Sequence, residues 1–147
     1  MIKKILVAID GSEHADKALE FTLDLAEKYS ATVTIINVFQ VPMPGYLGEP
    51  FAYPIALADF TKEVKAVHEK ILSKALKRAK ELKSNLKIST MLKEGRPADE
   101  IVETAKEGNF DLIVMGHRGL GKVKEFFLGS VSDRVADEAH CPVLIVK

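Results

Sequence analysis

A chain of 147 residues, 47% hydrophobic and 29% charged, has the size and balance of one globular domain with a sizeable core, and residues 1–147 are expected to form it. Its 21 basic and 21 acidic residues leave a formal net charge of zero, which argues against nucleic acid as a partner. The one cysteine, Cys141, excludes an internal disulfide framework, and no apolar run approaches a membrane span.

Met1-Ile2-Lys3-Lys4 enters a strand pattern without the apolar segment and cleavage site of a signal peptide, so the expectation is a cytoplasmic protein with no membrane partner. Ile5 to Ile9 is a continuous apolar run, the pattern of a strand buried on both faces of a parallel sheet. Asp10-Gly11-Ser12 turns the chain, and Ser12 is placed to cap a helix whose first turn carries Glu13 and Asp16. Ala15, Ala18, Leu19, Thr22, Leu25, Ala26 and Tyr29 recur at helical spacing as its inner face. Ala31 to Phe39 reads as a second strand.

Residues 41–54 hold Pro42, Pro44, Pro50 and Pro54 with Gly45 and Gly48, which excludes a helix or a central strand there. Their aromatic residues suggest a lid or a contact surface, and a variable connection without a role is the equal alternative. A long amphipathic helix is predicted over 57–83, with Val64, Val67, Ile71, Leu72, Ala75, Ala79 and Leu82 inward and a solvated lysine face outward. His68 lies beside that stripe and reads as a packing residue. Leu86 to Leu92 alternates, as an edge strand would. Pro97 suits the first position of a short helix with Ala98, Ile101, Val102 and Ala105 inward and Gly108 ending it. A fourth strand over Leu112 to Met115, a helix over Val131 to Ala139 and a fifth strand over Val143 to Val146 complete the chain. Strands alternating with helices imply right-handed crossovers and a doubly wound α/β sandwich of three layers around a five-stranded parallel sheet.

The stretch with the most chemistry is Gly116 to Ser130. Glycines leave a strand, a basic loop follows, and Gly129-Ser130 opens a helix. Such a strand–loop–helix unit suits an anion, above all a nucleotide phosphate. Ser130 is placed to cap the helix, with Asp133 three residues on completing a capping-box pattern. Gly116 to Lys122 also reads as G-x-x-x-x-G-K, but Val123 stands where a P-loop needs the hydroxyl that holds Mg²⁺.

The spacing Gly116, two residues, Gly119, nine residues, Gly129 and then Ser130 resembles the ATP-binding signature of the universal stress protein family. The opening Ile5-Leu6-Val7-Ala8-Ile9-Asp10-Gly11-Ser12 and the ending Cys141-Pro142-Val143-Leu144-Ile145-Val146 resemble the two ends of that family. The resemblance implies strand order 3-2-1-4-5, a nucleotide bound where strands 1 and 4 adjoin, and homodimers. A ligand in such a sheet lies beyond the carboxyl ends of the strands, at the switch point. The resemblance further implies Ala8, Asp10 and the backbone of Val38 around adenine and ribose. Met115 is expected to line the adenosine pocket. Gly116, Gly119, Gly129 and Ser130 are expected to hold phosphates, with Val131 and Ser132 adding first-turn contacts. Arg118 and Lys122 are placed to add charge, and His117 is either another such contact or a solvent-facing residue. Asp10 also has the plain reading of a turn residue. An apolar fifth strand at a sheet edge is a liability unless another chain covers it, which favours pairing across a two-fold axis.

No catalytic constellation stands out. His14, His68, His117 and His140 show no zinc-ligand spacing, and no base for an attacking water can be named. The leading expectation is an ATP-binding regulatory switch in a stress response, using ATP and Mg²⁺ and read by a regulatory protein partner. The alternatives are a slow Mg²⁺-dependent ATPase or phosphoryl or nucleotidyl transferase, and a dimeric scaffold with a vestigial site.

Overall fold

A computed structural model describes residues 1–41, 53–117 and 129–147. In chain order they form β1 (Lys4–Ala8), α1 (Glu13–Tyr29), β2 (Thr32–Phe39), α2 (Tyr53–Leu82), β3 (Ile88–Glu94), α3 (Pro97–Glu107), β4 (Leu112–Gly116), α4 (Ser130–Glu138) and β5 (Val143–Val146). The strands make one sheet in the order β3-β2-β1-β4-β5, and every pairing is parallel. This is the doubly wound α/β sandwich expected.

Strand alternation sorts the core into two layers. Ile5, Val7 and Ile9 pack with Val33, Ile35, Val114 and the inner faces of α1 and α2. Leu6, Ala8, Ile36, Ile113 and Met115 pack on the other side against α3 and Val135 of α4. Ile5, Leu6 and Val7 are fully buried, as a central parallel strand requires. Ser12 caps α1 by accepting the Ala15 N–H at 3.2 Å. The inner face of α1 includes Leu23 in place of Tyr29, which is 45% exposed at the last turn.

Several boundaries differ from expectation. The helix α2 begins at Tyr53, inside the segment judged unable to be helical. Pro54 falls in its first turn, where a missing N–H breaks no helical bond. The rest of the proline-rich loop, residues 42–52, lies outside the described residues. Leu72, Ala75 and Ala79 are buried, but Val67 and Leu82 are 57% and 50% exposed. The 30-residue helix is about 45 Å long and overruns a sheet whose strands have at most 8 residues. Strand β3 is displaced two residues from its expected span and lies at the edge. In α3, Thr104 is fully inward and Val102 only partly so. Gly108 ends that helix with ordinary right-handed geometry, and Asn109 at φ 51° takes the left-handed turn instead.

Candidate functional site

The sheet order places β1 between β2 and β4, so the chain leaves β1 and β4 toward opposite layers at their carboxyl ends. Four pieces of chain meet there. After β1, the Asp10 Oδ1 accepts the Ser12 N–H at 2.9 Å, closing a tight turn. Gly11 between them has φ +83°, a conformation that favours glycine. Asp10 is thus a turn residue, and it stands at the switch point as well.

Strand β4 ends at Gly116, and its glycine has a packing reason. A Cβ there would lie 2.8 Å from the carbonyl carbon and oxygen of His14, and 3.0 Å from the Ala15 nitrogen. The end of β4 therefore runs directly against the backbone of α1's first turn. His117 continues the ladder, its N–H donating to the Val146 carbonyl at 2.8 Å. Its own carbonyl accepts the Gly129 N–H at 3.3 Å. The two flanks of the glycine-rich segment are thereby joined. Arg118, Gly119 and Lys122 lie within 118–128, outside the described residues.

The start of α4 corrects the capping expectation. Gly129, not Ser130, holds the N-cap position, and no side chain caps the helix. Ser130 is the first helical residue, because the first helical bond runs from the Asp133 N–H to the Gly129 carbonyl at 2.9 Å. Among the described residues, the amides of Ser130, Val131 and Ser132 meet no acceptor. The Ser132 hydroxyl is committed to the Gly129 carbonyl at 3.3 Å, and that residue is buried. Its amide is what remains for a ligand. Ser130 is exposed and its hydroxyl is free to face one.

Beneath these donors lies an apolar floor. Ala8 and Met115 are buried in the α3/α4 layer, and Val38 and Val131 pack partly buried against the same cluster. Of the residues expected around an adenosine, Ala8, Val38 and Met115 thus share one layer. One residue beside the candidate site was only weakly visible in the sequence. The Nδ1 of His117 is buried without a hydrogen-bond partner, as is the Nδ1 of His14. An unpaired buried polar atom costs about 1–3 kcal/mol, and a polar ligand atom would relieve that cost. The signal was the position of His117 directly after the strand.

Another histidine was read only as packing. His68 of α2 lies 2.5 Å by its Nδ1 from the Oδ1 of Asn37, a residue 1% exposed in β2. Burial pushes the His68 imidazole below its ordinary pKa, so it is neutral near pH 7. Burial likewise pushes the Cys141 thiol up, which keeps it protonated and inert. Among the described residues no group of three His, Cys, Asp or Glu could hold a metal ion, and no helix is long and apolar enough to cross a membrane.

The same architecture recurs in known proteins. The model of the universal stress protein family matches residues 1–147. A universal stress protein of Thermus aquaticus, named for its place in the 3′ region of a QAH/OAS sulfhydrylase, is 38% identical over 154 residues, covering 100% of both chains. The structure of UspA from Lactobacillus plantarum superposes with a TM-score of 0.84 at 23% identity, over 99% of this chain and 97% of that one. A universal stress protein solved in complex with cAMP superposes at 0.69 with 28% identity, over 99% and 96%. Strand order, switch-point turn and glycine-flanked α4 agree with a match that runs from the first residue to the last, and this chain belongs to the universal stress protein family.

Proposed function

We propose that this protein binds ATP beyond the carboxyl ends of β1 and β4 and acts as a nucleotide-dependent regulatory switch in a cytoplasmic stress response. The observation that carries the reading is that three amides without an acceptor among the described residues, at Ser130, Val131 and Ser132, open the helix whose Val131 packs in one apolar cluster with Ala8, Val38 and Met115. The floor suits a purine, and the amides with the helix dipole suit its phosphates. Asp10 stands where a ribose hydroxyl would donate to its carboxylate. Gly116 and Gly129 keep the backbone close to the ligand, and Arg118, Gly119 and the Ser130 hydroxyl complete the phosphate contacts. Mg²⁺ would enter with the nucleotide, held by its phosphate oxygens. That a family member 28% identical was solved with cAMP supports a nucleotide of the adenine class.

Binding becomes a signal if it changes what a partner can read. The edge strand β5, with Leu144 and Val146 packed partly buried over the α1/α2 layer, pairs in this reading with a second copy. Its neighbour in the ladder is Gly116, so the dimer edge and the nucleotide site adjoin. Titration with ATP and Mg²⁺ by calorimetry, repeated with GTP, tests the site: micromolar affinity selective for ATP is expected, and no heat from nucleotide-free protein overturns it.

A further inference from the structure

We propose that Asn37 and His68 form a positioning pair that holds the turn after β1, and with it Asp10, in the shape that receives the adenosine part of a nucleotide. The ligand in this statement rests on the reading above; the geometry does not.

Asn37 is a polar residue 1% exposed, facing the α1/α2 layer among aliphatic neighbours. A buried amide is tolerable only when its groups are bonded. The Asn37 Nδ2 donates to the Ile9 carbonyl at 2.7 Å, the last carbonyl before Asp10. That carbonyl can only accept, so the amide's NH₂ must face it and its Oδ1 must face His68. The His68 Nδ1 at 2.5 Å must therefore carry the proton and donate. The ring is steadied by Phe39, with centroids 5.6 Å apart and planes at 31°. One turn along α2, Ile71 covers Gly11 so closely that a Cβ there would sit 3.2 Å from the Ile71 Cδ1.

One turn of α2 thus grips the β1–α1 turn on both sides of Asp10. It holds the Ile9 carbonyl through a directional relay and Gly11 by contact. An aliphatic pair in place of Asn37 and His68 would bury as much surface. It would not orient the Ile9 carbonyl, and a hydrogen-bonded pair does so because its geometry is narrow.

The variant His68→Phe keeps a ring against Phe39 and removes the donor; His68→Gln restores one. Exchange of the Ser12 amide, held by Asp10, reports the turn. Exchange of the Lys4 amide, held by Asp111 at the far end of the sheet, reports general stability. His68→Phe is expected to speed Ser12 exchange about tenfold with Lys4 unchanged, the scale of one lost hydrogen bond. It should weaken ATP about tenfold while leaving inorganic tripolyphosphate binding as it was, and His68→Gln should recover part of both. Equal acceleration at Ser12 and Lys4, or none at Ser12, overturns the proposal. So does an unchanged ATP affinity in a variant whose Ser12 amide has loosened. If Ser12 alone accelerates but the unaltered protein takes up no nucleotide, the clamp stands and the proposed ligand falls.

Discussion

The two ends of the sheet are built on opposite rules. At the amino end every strong group named has a partner. The Asp111 Oδ2 accepts the N–H groups of Lys3 and Lys4 at 2.8 and 2.9 Å, and the Asp111 N–H donates to the Lys4 carbonyl at 2.9 Å. The Lys4 ammonium donates to the Gly108 carbonyl and lies 4.7 Å from the centre of the Phe110 ring. At the carboxyl end, three helix amides meet no acceptor among the described residues, the Nδ1 atoms of His14 and His117 are buried unpaired, and the chain bends at Gly11 with positive φ. One end closes the fold; in the proposed reading the other end is where a ligand would be received.

The largest expected effect is on the open end. Gly129 has φ −54° and ψ 149°, a conformation any residue adopts, so Gly129→Leu meets no backbone strain, and because the position is buried it should fold with some loss of stability. Its side chain would stand over the α4 amides, and calorimetric ATP binding should be lost; unchanged affinity would place the phosphates elsewhere. Gly116→Val is expected to cost about 1–3 kcal/mol in denaturant unfolding, because its side chain meets helix backbone and not a movable side chain. A variant as stable as the parent would refute the close approach of β4 to α1. Ser12→Ala removes the α1 cap and should cost about 1 kcal/mol by the same measurement.

At the closed end the prediction is a pH dependence. Two backbone N–H groups hold the Asp111 carboxylate below its ordinary value of 3.8. A carboxyl lowered on folding contributes stability that is present above the unfolded value and lost as pH falls through the folded one. Asp111→Asn should therefore flatten the acid limb of stability below about pH 4, with little change in ATP affinity at pH 7. Last, and decisive for assembly, is Leu144→Lys, read on folded protein because Leu144 also packs partly buried on the α1/α2 layer. It should give monomers in light scattering if β5 pairs across a two-fold axis, and a dimer that persists would move the interface.

Much of the fold was legible because the physics was local. The run Ile5 to Ile9 could only be a doubly buried strand, and Ser12 before Glu13 and Asp16 could only open a helix. The failures came where a neighbour far in sequence decided. Val67 and Leu82 fit the apolar stripe of α2, but Val67 lies on the flank of the line that His68, Leu72, Ala75 and Ala79 turn inward, and Leu82 is the last residue of the helix. Ser130 matched the capping box, but the bond from Gly129 to His117 sets the helix entry one residue earlier. His68 looked like packing because its partner, Asn37, lies 31 residues away on a strand.

By itself, the sequence determined the alternation of strands and helices, the doubly buried core strands and the anion-suited strand–loop–helix unit. Each is a matter of periodicity, propensity and the chemistry of adjacent residues. The tertiary structure alone decided why Gly116 must be small, which amides of α4 meet no acceptor among the described residues, and that α2 reaches across to the Asp10 turn. Those depend on how closely separate elements approach one another, and packing distances are not written in the spacing of any one segment.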